Sequence, residues 1–110
     1  MKIYEEVIVS EKIKYDKKEL LEKIIRGDIL HHTYLIGIPL WECENQLEIY
    51  HEAFHSQVCY RNMDLLVIGI ALGYGDALEL VKNIASEVVE NTGTANIKEY
   101  YLEKMELEKA

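Results

Sequence analysis

The residues in this sequence best suited to chemistry are His51-Glu52-Ala53-Phe54-His55. On a helix, imidazoles four positions apart share one face and can hold a zinc ion, while the glutamate after the first histidine activates a bound water. Cys59 lies four residues beyond His55 and would fall on the same face. His51, His55 and Cys59 thus form a conceivable metal set, with Glu52 as the catalytic base of a small zinc-dependent hydrolase. That reading needs a helix, an open coordination position and a substrate cleft.

The local pattern supplies the helix only in part. Residues 46 to 50, QLEIY, alternate as a strand does, with Leu47 and Ile49 on one face, yet Leu47, Tyr50, Phe54 and Val58 also make a helical stripe. A strand over 46 to 50, paired as a hairpin with 33 to 38 and followed by a short helix or irregular segment, is the expectation for the stretch 40 to 62. The competing account of the motif is a chance arrangement of half-exposed histidines, because short motifs recur freely. His31 and His32 are a second pair, but neighbours on extended chain point opposite ways, so they read as solvent-facing loop residues.

Gly73-Tyr74-Gly75-Asp76 has the outline of a dinucleotide-binding turn. Leu78 stands where the third small residue belongs, and Asp76 puts negative charge where a phosphate would dock. A structural turn accounts for both residue types: glycine for its φ freedom, Asp76 as the helix cap with Glu79 reaching back. No phosphate loop is present, and Ser10, Ser56 and Ser86 lie in no nucleophile context.

Composition narrows the partners. Twelve Lys and Arg against twenty Asp and Glu give a net charge of −8, which repels a phosphate backbone or an anionic membrane surface. The one basic cluster, Lys12, Lys14, Lys17 and Lys18, is interleaved with Glu11, Asp16 and Glu19. Acids follow Met1 where a leader would need an apolar core, and the longest apolar run is far too short to span a bilayer, so a cytoplasmic location is expected. Cys43 and Cys59 then read as free thiols.

The elements that must position these groups follow from periodicity. Residues 2 to 9 predict a strand with Ile3, Val7 and Val9 on one face. Asp16 and Glu19 form a capping box ahead of Leu20, Leu21, Ile24 and Ile25, and Gly27 is placed to end that helix. Residues 33 to 38 predict a strand closed by Pro39. The apolar run 64 to 72 reads as a central strand covered on both faces. Ala77, Leu80, Val81, Ile84, Ala85 and Val88 then line one face of the longest helix, which Gly93 closes. Residues 97 to 102, with their tyrosines, suit a last strand, and 103 to 110 a frayed tail. One α+β domain over 1 to 110 follows, most simply a ferredoxin-like βαββαβ two-layer sandwich, with two helices on one face of an antiparallel sheet.

The run Leu47-Glu48-Ile49, Tyr60-Arg61-Asn62-Met63-Asp64-Leu65, Val67-Ile68-Gly69-Ile70-Ala71, Gly73-Tyr74, Ala77-Leu78-Glu79-Leu80-Val81 and Thr92-Gly93 resembles a set of short bacterial proteins of about this length. The resemblance spans roughly residues 34 to 102 and omits His51 and His55. It implies bacterial origin and carries no activity, cofactor or catalytic residue with it.

Small size, eight tyrosines and no complete catalytic constellation point to a non-enzymatic module. It would form a homo-oligomer, or bind a protein partner or a small-molecule ligand, through an exposed sheet face or edge. Elemental analysis of untagged protein purified without chelator separates this from the hydrolase. The expected result is no stoichiometric zinc; one zinc per chain, lost in His51→Ala, would establish the metal site instead.

Overall fold

The structure is a computed structural model and describes residues 2–28, 30–51 and 63–109. Among these, four strands and three helices occur: β1 (Lys2–Val9), α1 (Lys17–Arg26), β2 (Thr33–Pro39), β3 (Glu48–His51), β4 (Leu65–Leu72), α2 (Tyr74–Thr92) and α3 (Ile97–Lys109).

Seven of the eight residues of β4 are buried, which only a strand with neighbours on both edges and cover on both faces can achieve. It lies inside a sheet of order β1-β4-β2-β3. β1 runs parallel to β4, whereas β2 is antiparallel to both β4 and β3. The sheet is therefore mixed, which corrects the antiparallel ferredoxin-like arrangement. The expected hairpin of β2 with β3 is present, with Leu35 opposite Tyr50 and Ile36 opposite Ile49.

The helices lie on both faces of the sheet instead of one. Leu20 and Ile24 of α1 pack against Val7, Leu35, Leu65, Val67 and Ile70. Ala77, Leu80, Ile84 and Val88 of α2, with Ile97 and Tyr101 of α3, pack against Tyr4, Ile36, Ile38, Leu66, Ile68 and Ala71. β4 serves both clusters because its side chains alternate, and a bulge adjusts the phase. Ile36 faces Gly69 while Gly37 faces Val67, so Ile68 has no partner in the register.

The last predicted strand is a helix. Ile97, Tyr100, Tyr101 and Met105 recur at helical spacing and meet the core, and Tyr101 meets Tyr4 edge to face at 5.3 Å. The tyrosines suggested β structure, but the Glu and Lys between them are helix formers. Residues 103–109, expected to fray, continue the helix; Lys104 lies 4.5 Å from the centre of the Tyr100 ring. The start of α3 is held from across the molecule. The Lys98 backbone N–H donates to Gln46 Oε1 at 3.2 Å, and Lys98 Nζ donates to the Trp41 carbonyl at 2.8 Å.

Local signals at α1 act as read. The Glu19 N–H donates to Asp16 Oδ1 at 3.1 Å, and Gly27 takes the left-handed conformation at φ 80°. Helix α2 begins one turn differently. Gly73, at φ 89° and ψ 155°, is the N-cap, a conformation open essentially to glycine alone. Asp76 is therefore not the cap residue; it sits in the first turn and accepts from the Leu72 N–H at 2.9 Å.

Gly37 is where packing leaves no room for a side chain. A Cβ there would lie 2.8 Å from Cγ and Cδ1 of Leu65, which is itself 2% exposed. Gly37→Ala is expected to lower unfolding free energy by about 1–3 kcal/mol in urea denaturation. Adding Leu65→Val should recover part of that loss, since the two changes share one space.

Candidate functional site

β1 and β4 end side by side, and β2 begins and β3 ends at the same pole. This topology gathers residues the sequence leaves far apart: Ser10 and Lys12 after β1, His31 and His32 before β2, His51 at the end of β3, and Tyr74 and Asp76 at the start of α2. Recesses at the carboxyl ends of parallel strands are where open sheets of this kind take ligands.

His51 is the last residue of β3, opposite Tyr34, whose ring it meets edge to face at 5.1 Å. The zinc motif would need a helix to begin there, and it is strand instead. Glu52, His55 and Cys59 lie outside the described residues. Among the described residues no group of three or more His, Cys, Asp or Glu is placed to hold a metal ion. His31 and His32 are exposed, as expected for loop residues. His32 adopts φ 58°, and its carbonyl accepts from the Gly73 N–H at 2.6 Å, so the loop before β2 is tied to the turn after β4. Cys43 is a half-exposed free thiol.

Asp76 is the most constrained charged group at this pole. Burial alone would raise its carboxyl pKa. The Ser10 hydroxyl, the Leu72 N–H and the charge of Lys12 outweigh that effect and hold it below the usual carboxylate range. Its charge also faces the positive end of α2. Ser10, Glu11, Lys12, Asp76, Glu79 and Asn83 line a recess of about 400 Å³ on this side. With its carboxylates it would favour cations over phosphates, consistent with the structural reading of the glycine turn. A second perturbed group, Tyr50, is raised by burial and by its hydroxyl's hydrogen bond to Glu48. It is part of the core beneath β3.

The other feature of this region is apolar. Tyr74, Leu78, Val81, Ala85 and Val89 follow one another at i, i+4, i+7, i+11 and i+15, beside the buried stripe of α2. Tyr74, Leu78 and Val89 are 56%, 47% and 46% exposed, and Val81 and Ala85 are partly buried. The Tyr74 ring approaches that of Tyr34 at 5.8 Å, which turns this stripe toward β2 and β3. There Tyr34, Leu47 and Ile49 are also only partly covered. The sequence carried this signal, because apolar positions of α2 fill about half of its circumference, more than one contact face needs.

No helix among the described residues is long and apolar enough to cross a membrane. The chain matches no protein-family model, no curated protein and no solved structure.

The Asp76 environment has a pH consequence. A carboxyl whose folded pKa is depressed stabilises the fold above its unfolded value, about 3.9, and that contribution is lost as pH falls through the folded value. Asp76→Asn should cost about 0.5–1 kcal/mol near neutrality. In chemical denaturation from pH 7 to pH 3, the gap from wild type should close below about pH 4.

Proposed function

We propose that the protein is a non-enzymatic interaction module that self-associates through the exposed stripe of α2 and the neighbouring β2–β3 side of the sheet. The observation that carries this reading is the line Tyr74, Leu78, Val81, Ala85 and Val89, which exposes three large apolar side chains and meets the partly covered Tyr34 at Tyr74. Singly exposed apolar residues need no explanation, but a contiguous stripe along a long helix does.

A second copy suits this surface better than a charged partner. The stripe is uncharged, and a two-fold interface places the same patch on both subunits, so apolar meets apolar. On the order of 400 Å² of apolar surface per copy would be covered, within the range of a modest dimer once the polar rim is added. Among the described residues β3 is the last strand on this side of the sheet, so a symmetric neighbour would lie beside a sheet edge.

Each chain carries −8, so the two subunits repel while the apolar contact holds them. Association should therefore strengthen as salt is added, the opposite of an interface built on ion pairs. Sedimentation equilibrium is expected to show a dimer whose dissociation constant falls between low and moderate ionic strength. Leu78→Lys with Val89→Lys should give a monomer with an unchanged circular dichroism spectrum. A wild-type protein that stays monomeric at all concentrations and salts would overturn the reading.

A further inference from the structure

On the opposite side of the pole from the acidic recess, three segments converge around a cavity of about 270 Å³. It is lined by Lys12, Ile13, Lys14 and Tyr15 after β1, by Leu30, His31 and Thr33 at the start of β2, and by Leu72 at the end of β4. From this we infer a second site, a pocket for a compact anionic molecule with a flat apolar body, such as a ring bearing a carboxylate or a phosphate.

The inside of the cavity is mostly apolar and built on the core. Leu30 is 6% exposed, Ile13 packs against the cluster beneath α1, and the buried Thr33 donates its hydroxyl to the His31 carbonyl. Leu72 and the Tyr15 ring complete walls suited to a planar group. The volume approaches the lower end of small-molecule sites and would hold a single substituted ring.

The rim is cationic in a chain that is otherwise acidic. Lys12 and Lys14 are both exposed at the mouth, and Lys23 of α1 holds its ammonium 5.2 Å from the centre of the Tyr15 ring. His31 adds an imidazole. Lys12 also faces Asp76 across the end of β1, so part of its charge is already compensated. Lys14 forms no ion pair among the described residues, which leaves it available to an incoming anion. Lys12 and Lys14, two of the interleaved lysines of residues 12 to 18, thus stand at a cavity where positive charge and an apolar floor coincide. An apolar body sets the affinity there, and the anion fixes the orientation.

The test is titration of the full chain, followed by amide NMR, with three probes that share one ring: benzoate, phenyl phosphate and benzylamine. Benzoate, phenyl phosphate or both are expected to shift the amides of Ile13, Lys14, His31, Thr33 and Leu72 at millimolar concentration, with benzylamine at least tenfold weaker. The stronger of the two anions assigns the group. Lys14→Glu, at an exposed position that leaves the core untouched, should weaken anion binding tenfold or more. The monomeric Leu78→Lys, Val89→Lys chain should bind as wild type does, so this result is independent of self-association. Absence of shifts with any probe, equal binding of benzylamine, or binding unchanged in Lys14→Glu would each overturn the proposal.

Discussion

Everything in this fold depends on removing β4 from water on both of its faces. Leu65, Val67 and Ile70 look one way, and Leu66, Ile68 and Ala71 the other, and all six are at most 2% exposed. A strand of that composition needs a hydrogen-bonding neighbour on each edge and a helix on each side. β1 and β2 supply the edges, α1 one face, and α2 with α3 the other. The bulge at Ile68 is the adjustment that lets one eight-residue strand keep both clusters in step, and Gly69 fits there because Ile36 and Ile84 crowd the space a side chain would fill.

Cover on the two faces is not symmetric, and that asymmetry creates the apolar stripe and the recesses at the strand ends. α2 contacts β4 and β2, whereas the short β3, last in the strand order, leaves Ile49 only partly covered. One flank of α2 carries Asp76, Glu79 and Asn83 toward β1, and the other carries Tyr74, Leu78 and Val81 toward β2 and β3. The helix thus divides its side of the sheet into a polar half and an apolar half. Beneath the opposite face, the segment after β1 brings its lysines to the mouth of the cavity closed by Leu30 and Leu72.

Much of this was legible in the sequence where a single physical cause acts locally. Asp16 and Gly27 delimit α1, the unbroken run 65 to 72 marks the central strand, and β2 and β3, neighbours along the chain, pair as the expected hairpin. What was not legible depends on distant partners. Nothing local says that β1 lies parallel to β4, since a strand's pattern is the same whichever way its neighbour runs. The helical state of α3 is reinforced by Gln46, fifty-two positions away, capping Lys98. Gly73 taking the cap role from Asp76 turns on a backbone conformation that leaves no periodic trace. The zinc motif is a spacing and nothing more; His51 lies in β3, and its companions lie outside the described residues.

The parallel pairing of β1 with β4 also governs the order in which the chain can assemble. Lys2 lies opposite Leu66, so β1 has no parallel partner until β4, more than sixty residues later, has been made. By contrast β2, β3 and β4 are joined by antiparallel contacts of shorter sequence separation, and a long closure costs more entropy than a short one. The β1–β4 pairing therefore carries the larger closure entropy of the sheet. Closing the sheet thus falls to the pairing of longest reach, and it covers the edge of β4, the most buried of the described strands.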